Sequence, residues 1–242
     1  MAAAKRSRAR SHASFRREAA FHAAPHTLEE TILDPGRDVP VRRQDIDPGC
    51  YVLQSLMSPR ECRRLIAAAE AVGFTHAGLA VGDDTYRVNL AVRNNLRVVF
   101  DAQELAAGLW ERMRPQVPTH HEGAPIVGLN WRFRVYRYDP GQRFFPHVDV
   151  RTTLPVGETR ESLVIYLNDE FLGGNTCFYE LKDRGSRRGE GRGRKFDNRV
   201  QFSLRPGPGD AVAFDHLRLH EGAEVTEGAK YAVRSDLIYA RR

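Results

Sequence analysis

The 242-residue sequence is poor in cysteine, in lysine and in long apolar runs, and the shortages of cysteine and of apolar runs each exclude a class of protein. Its three cysteines, Cys50, Cys62 and Cys177, are odd in number and widely separated, which excludes a disulfide framework or a C-x-x-C metal knuckle and indicates a reducing compartment. No stretch approaches the roughly 18 consecutive apolar residues of a membrane span, and the first residues lack the apolar run of a secretory signal. We therefore expect a cytoplasmic protein without membrane contacts, or an organellar one if the N-terminus is a transit peptide.

Lysine provides only four of the 37 basic residues, so arginine carries most of the positive charge. The formal net charge is +6, and the excess is concentrated in residues 1–20 and 182–199, each with a net charge of +5. Such segments could attract nucleic acid or another polyanion through long-range electrostatics. Arginine is favoured over lysine throughout the chain, so basic segments of this kind do not by themselves indicate a nucleic-acid site. We therefore do not expect nucleic acid to be the partner.

Composition divides the chain into a tail and one folded domain. Residues 1–40 begin with an Ala-, Arg- and Ser-rich stretch without periodicity, which predicts a basic, disordered N-terminal tail, and residues 41–242 are predicted to form the domain. A capping box at residues 58–61 predicts an amphipathic helix that ends at Gly73. A similar pattern predicts a second helix that starts at Asp101.

After the predicted helices, the apolar period changes from helical spacing to alternation. Short β-rich runs separated by Gly and Pro turns follow one another at residues 131–138, 162–167, 176–179, 200–204, 211–214 and 231–239. Helices followed by many short strands predict an α+β, mainly β fold, in which the N-terminal helices pack outside a β-sandwich or jelly roll.

A candidate metal site is indicated by the one His-x-Asp pattern among nine histidines, formed by His147 and Asp149. Residues two apart on a strand project from the same face. A third ligand must come from a separate strand, and His220 lies in the last β-rich part of the chain. Two histidines and one carboxylate leave positions open on a metal, which suits non-haem Fe(II) that binds a co-substrate and O2, although chance often produces this pattern.

Three segments around these residues, in order along the chain, carry a resemblance to a known family: RVYRYDPGQRFFPHVDV, SLVIYLNDEFLGGNTCFYE and PGPGDAVAFDHLRLHEGAEVTEGAKYAVRSDLIY. Together they span about residues 126–240 and resemble the catalytic domain of the prolyl 4-hydroxylase-like Fe(II)/2-oxoglutarate dioxygenases. The resemblance implies a double-stranded β-helix (jelly-roll) core. It also implies Fe(II), 2-oxoglutarate and O2 as cofactor and co-substrates, with ascorbate as an optional reductant.

The resemblance also assigns residues. By it, His147, Asp149 and His220 are the metal ligands and catalytic residues, and Lys230 pairs with the distal carboxylate of 2-oxoglutarate. Tyr138 and Thr176 match positions that line the co-substrate pocket, and Arg234, on the same strand face as Lys230, is the alternative anchor. His216 precedes the family's His-Glu-Gly step and is expected to pack in the interior or to contact a metal ligand, not to bind the metal.

The implied activity is hydroxylation of an unactivated C–H bond, with a prolyl residue in a peptide or protein as the default substrate. A free amino acid or another small molecule is the first alternative, a nucleic-acid-modifying oxygenase the second, and a catalytically inactive jelly-roll binding module the third. The basic segment 182–199 could recruit an acidic substrate at the mouth of the site or be a solvated loop. Residues 93–95 (Arg-Asn-Asn) could likewise lie over the mouth or be ordinary loop polar groups.

Overall fold

The computed structural model describes residues 21–22, 24–37, 39–82, 85–180 and 199–241. Most of the two basic segments singled out in the sequence, residues 1–20 and 182–198, lies outside this part of the chain. Among the described residues, no helix is both long enough and apolar enough to cross a membrane. The three cysteines are free thiols in the interior.

Two helices occur in the described residues, α1 (Pro59–Val72) and α2 (Gln103–Met113). Helix α1 has the predicted capping box, in which the Ser58 hydroxyl accepts from the Glu61 amide at 3.2 Å and the Glu61 carboxylate accepts from the Ser58 amide at 2.7 Å. The predicted cap of the second helix is wrong, because no side chain caps α2. The Asp101 carboxylate is instead held by Arg132 at 2.9 Å, so it does not reach the amides of the helix.

Strands make up most of the described structure. In chain order they are β1 (Phe21–His22), β2 (His26–Thr27), β3 (Arg42–Asp47), β4 (Cys50–Gln54), β5 (Thr75–His76), β6 (Leu79–Gly82), β7 (Thr85–Arg87), β8 (Leu96–Asp101), β9 (His120–His121), β10 (Ala124–Leu129), β11 (Arg132–Tyr138), β12 (Phe144–His147), β13 (Thr153–Leu154), β14 (Gly157–Tyr166), β15 (Phe171–Gly173), β16 (Thr176–Tyr179), β17 (Val200–Leu204), β18 (Ala211–Asp215), β19 (His220–Gly222), β20 (Val225–Gly228) and β21 (Lys230–Tyr239).

These strands form two principal sheets. The larger has the central order β2-β8-β11-β21-β14-β18-β4-β3, and the smaller has the order β12-β19-β16-β17. Adjacent strands pair antiparallel in both, apart from the parallel pair of β2 and β8. Two small additional sheets pair β15 with β20 and order β1-β7-β6. The fold is therefore mainly β, and the non-sequential strand order is consistent with a jelly roll.

Alternation along the strands divides the interior into two clusters. One face of the larger sheet packs with α1 and α2 in the larger cluster, to which Leu65, Leu109 and Val135 belong. The opposite face meets the smaller sheet in the smaller cluster, where Phe178 lies edge-on to Phe214 at 5.2 Å between ring centroids. Successive residues of β11 and β18 point alternately into the two clusters, as the period of a strand requires.

The described part of the segment assigned to the tail packs on the domain from residue 26 onward. Strand β2 pairs with β8, and the Ile32 side chain is 3% exposed in the larger cluster. Leu28 and Leu33 pack against the same cluster. These apolar side chains follow the Ala-, Arg- and Ser-rich stretch and supply the buried surface that the stretch itself lacks.

A candidate metal and co-substrate site between the two sheets

Two histidines of the smaller sheet face each other across a strand pair. His147 is the last residue of β12, and its Cα partner on β19 is His220. Their ring centroids lie 4.2 Å apart. Each Nδ1 lies near a backbone carbonyl, that of Phe145 at 2.8 Å and that of Arg218 at 2.9 Å, which fixes the proton on Nδ1 and leaves Nε2 as the free ligand atom.

Both imidazoles are neutral at neutral pH. Burial is the main reason that the pKa of His147 lies well below its ordinary value, and the neighbouring His220 lowers it further. Burial also lowers the pKa of His220. Because a metal binds the unprotonated imidazole, these shifts keep both side chains ready for a metal ion at neutral pH.

Asp149 completes the cluster from the loop that follows β12. Its backbone amide donates to the His216 carbonyl at 2.8 Å, which holds the loop against the end of β18. Its carboxylate oxygens lie 3.8 Å from His147 Nε2 and 3.6 Å from His220 Nε2, and one ligand atom from each of these three residues fits within 4.8 Å of the others. The sequence-predicted triad is thus brought together in space.

The Asp149 carboxylate is held from behind by two groups. Ser162, on β14, donates its hydroxyl to one oxygen, and Arg234 Nη1 lies 2.7 Å from the other. Burial alone would raise the pKa of Asp149, but the positive charge of Arg234 is the main effect that outweighs burial and holds that pKa below its ordinary value. The carboxylate therefore remains ionised, as a metal ligand must be.

Arg234, the alternative anchor, pairs with a second carboxylate as well. Its Nη2 lies 2.8 Å from Asp236, which also contacts Arg134 at 3.2 Å and His216 Nε2 at 3.3 Å. The guanidinium is thus flanked by two buried acids. His216 lies in the interior behind Asp149, outside the cluster of three ligand atoms.

Lys230, at the start of β21, is a buried cation in a different setting. Its side chain is 3% exposed, and its Nζ donates to the Gly174 carbonyl at 2.6 Å. The ammonium lies over the rings of Tyr166 at 4.6 Å and Tyr138 at 5.4 Å. Burial lowers its pKa to about 7. Among the described residues, no carboxylate pairs with this amine.

Hydroxyl groups surround the lysine. Tyr138 is the Cα partner of Lys230 across β11 and β21, and Tyr166 shares a short hydrogen bond with the Thr176 hydroxyl. All three hydroxyl-bearing residues are buried. Tyr138 and Thr176 were expected here, whereas Tyr166 was not singled out. A usable signal for Tyr166 was its place on the alternating run of β14, four residues after Ser162 on the same face.

The donors present fit both groups that the resemblance implies. Two neutral imidazoles and one carboxylate, offered from one side, are the donor set of a non-haem Fe(II) site. A buried ammonium and neighbouring hydroxyls suit the far carboxylate of a dicarboxylate, because a buried anion must be paired and hydrogen-bonded. Tyr138 lies between the two regions. The Lys230 ammonium lies over its ring, and the charge of Asp149 adds to burial in raising the pKa of its hydroxyl.

Comparison with known proteins agrees with this site. Residues 133–235 match the profile of the 2OG-Fe(II) oxygenase superfamily. No curated protein matches the chain in sequence.

Solved structures share the fold at low sequence identity. A collagen prolyl hydroxylase of Paramecium Bursaria Chlorella virus-1, in a 2OG complex, is 20% identical with a TM-score of 0.53 over 80% of this chain and 97% of that chain. A Trichoplax adhaerens prolyl hydroxylase, in complex with a hypoxia inducible factor peptide, is 15% identical with a TM-score of 0.58 over 78% and 83%. A Pseudomonas putida prolyl-4-hydroxylase is 14% identical with a TM-score of 0.53 over 80% and 94%.

The profile match over residues 133–235 and the cluster of His147, Asp149 and His220 support a 2-oxoglutarate/Fe(II)-dependent dioxygenase, which uses Fe(II), 2-oxoglutarate and O2. The solved structures that share its fold include prolyl hydroxylases.

Proposed function

We propose that this dioxygenase hydroxylates an unactivated C–H bond, and that a prolyl residue in a peptide or protein is the first substrate to test. In the balanced reaction, 2-oxoglutarate, O2 and a C–H group yield succinate, CO2 and a C–OH group. One oxygen atom enters succinate and the other enters the substrate. Two of the solved structures that share the fold, a collagen prolyl hydroxylase and a prolyl hydroxylase in complex with a hypoxia inducible factor peptide, support a peptide substrate.

In this proposal His147, Asp149 and His220 hold the iron. Fe(II), when bound, supplies the activation of O2. The protein supplies ligands in fixed orientation, since the carbonyls of Phe145 and Arg218 orient the two rings. The carboxylate of Asp149 favours hydroxylation over halogenation, because halogenases of the family lack this ligand and leave its position to halide.

Lys230 binds the distal carboxylate of 2-oxoglutarate, and Tyr138 and Thr176 donate hydrogen bonds near it. One observation carries this assignment: among the described residues, no carboxylate pairs with the buried Lys230 ammonium. Arg234, by contrast, already pairs with Asp149 and Asp236. A buried cation without a counter-ion costs several kcal/mol, which a dianionic ligand would offset.

The test is titration of the metal-free protein with Fe(II) and 2-oxoglutarate under anaerobic conditions, followed in air by succinate release with proline-containing peptides, free amino acids and oligonucleotides. We expect 2-oxoglutarate to bind only after Fe(II) and peptides to stimulate succinate release. His147→Ala should abolish both, and His120→Ala, which alters an exposed histidine, is the control. Failure to bind 2-oxoglutarate would leave an inactive binding module, and stimulation by oligonucleotides alone would favour nucleic acid.

A further inference from the structure

A third cation, Arg93, is buried beside the candidate metal site and has no role in the proposed reaction. Arg93 forms an isolated bridge with Phe144 of β12, the strand that ends in His147. The adjacent Asn94 binds the backbone amide of Arg143 through its side-chain oxygen at 2.7 Å. The segment that carries Arg93 is therefore attached to the strand that carries the first metal ligand.

The Arg93 side chain points into the site. Its guanidinium carbon lies 4.2 Å from the centroid of the Phe144 ring and 4.5 Å from that of Tyr136. The Phe144 ring in turn stacks on the His147 imidazole at 3.5 Å between centroids. Only one aromatic ring therefore separates the Arg93 cation from the imidazole of the triad.

The guanidinium is only partly satisfied. Arg93 is 6% exposed, and its Nε donates to the Asn95 side chain at 2.7 Å. The guanidinium also lies close enough to the Tyr138 hydroxyl to oppose the rise that burial causes in the pKa of that group. Its Nη2 is buried and has no hydrogen-bond partner. Within the described ranges, no carboxylate lies at ion-pairing distance from it. Stacking on aromatic rings compensates only part of the cost of burying an unpaired charge.

The charges around the site show which cation lacks a partner. Arg234 is balanced by Asp149 and Asp236, and Lys230 is assigned to the distal carboxylate of 2-oxoglutarate. Arg93 has no counterpart in this set. Since buried charges in proteins are paired, a group from outside the described residues is needed.

We infer that Arg93 binds a carboxylate of the substrate, so that the substrate is an anion with its carboxylate close to the carbon that is hydroxylated. This inference rests on the proposed function and narrows its substrate class. The planar guanidinium, with an unused Nη2, is suited to a carboxylate, which it binds through parallel N–H donors. The carboxylate could belong to a free amino acid or to an acidic residue next to the target in a peptide.

The experiment separates these two sources. The protein loaded with Fe(II) and 2-oxoglutarate is titrated calorimetrically without O2, using two pairs of compounds that differ in charge. The first pair is L-proline and L-prolinamide, and the second is a capped peptide with Glu-Pro-Glu at its centre and the same peptide with Gln-Pro-Gln. We expect one acid to bind at least about tenfold more tightly than its neutral partner, and that pair identifies the source.

Arg93→Gln should weaken binding of that acid by about a hundredfold and remove the preference, while the affinities for Fe(II) and 2-oxoglutarate stay unchanged. Arg143→Gln is the matched control, because Arg143 also stacks on a ring, that of Phe145 at 4.1 Å, but its side chain is 44% exposed. Equal binding of acids and neutral compounds, or no binding of either, overturns the inference. A loss of 2-oxoglutarate affinity in Arg93→Gln also overturns it, because that result would assign Arg93 to the co-substrate. The proposed function survives each of these results if the wild-type protein still binds 2-oxoglutarate.

A second measurement needs no ligand. Arg93→Met keeps an unbranched side chain over the two rings and removes the charge. If Arg93 is held for a ligand, this variant should raise the Tm of the metal-free protein, because the uncompensated buried charge is gone. A lower Tm would show that Arg93 stabilises the fold and would contradict the inference.

Discussion

Lys230 is a buried amine whose charge depends on what is bound beside it. Burial lowers its pKa to about 7 in the protein without ligands. The amine is therefore increasingly neutral above that pH. A carboxylate bound next to it would favour the charged form and restore the proton.

We predict that 2-oxoglutarate affinity falls as the pH rises above about 7, approaching a tenfold loss per pH unit, because binding must then take up a proton. Calorimetry in two buffers of different ionisation enthalpy at pH 8.5 should detect uptake of nearly one proton. Lys230→Arg should bind more weakly and with little pH dependence, since a guanidinium stays charged. A flat pH profile in the wild-type protein would remove Lys230 from the anchor.

Asp149 is both a candidate metal ligand and an ion-pair partner of Arg234. Asp149→Ala should reduce Fe(II) affinity by at least about a hundredfold, because a carboxylate ligand is lost and Arg234 is left with a single acid near the metal. The measurement is iron content after dialysis against a buffered Fe(II) concentration. Asp139→Ala, which alters a partly exposed carboxylate paired with Arg137, should retain iron. Normal iron content in Asp149→Ala would exclude Asp149 as a ligand.

At the scale of elements, one buried carboxylate connects both helices to the N-terminal segment. Glu61 caps α1, accepts from the Asp34 amide at 2.7 Å and binds Arg112 of α2 at 2.8 Å. Burial opposes its ionisation, but Arg112 and the two amides outweigh burial and lower its pKa to about 2. A lowered pKa means that this stabilisation is complete above the ordinary range of a glutamate and is lost as the pH falls towards about 2.

We predict that Glu61→Gln destabilises the protein by about 3–5 kcal/mol at pH 7, because Arg112 loses its buried partner. The difference from the wild type should shrink on acidification to pH 3, because the glutamate of the unfolded chain takes up a proton there while the folded carboxylate is still mostly ionised. Denaturant unfolding at the two pH values measures both effects. Glu111→Gln, in an exposed pair with Arg114, should cost less than about 1 kcal/mol. An equal cost in the two variants would show that the connection through Glu61 contributes little.

Sequence patterns predicted the elements that depend on local signals. The capping box placed the start of α1 correctly, and alternation predicted β11, β16, β17 and β21 to within one residue at each end. The cap at Asp101 failed because a tertiary partner, Arg132, holds that carboxylate. The positions of Ser162 and Arg234 around Asp149 could not be predicted either, since they depend on the register of β14 against β21 and on a loop held by a long-range backbone hydrogen bond.

At the scale of the whole molecule, the two hydrophobic clusters of the interior contact different parts of the protein. The larger cluster joins the helices to the outer face of the larger sheet and contains none of the triad. The smaller cluster lies between the sheets, and its Phe178 is both the Cα partner of His220 and close to that imidazole, at 6.2 Å between ring centroids. Stability and metal binding should therefore respond differently to cavities in the two clusters.

We predict that Leu109→Ala and Phe178→Ala, both at fully buried positions, each destabilise the fold, by about 2–5 and 3–5 kcal/mol respectively. Only Phe178→Ala should also weaken Fe(II) binding in the folded protein, because the His220 ring loses the neighbour that fixes its orientation on β19. Denaturant unfolding gives the first quantity, and Fe(II) titration well below the Tm of each variant gives the second. If Leu109→Ala weakened Fe(II) binding as much as Phe178→Ala, the metal site would depend on the stability of the whole domain, and the separation of the two clusters would have no functional meaning.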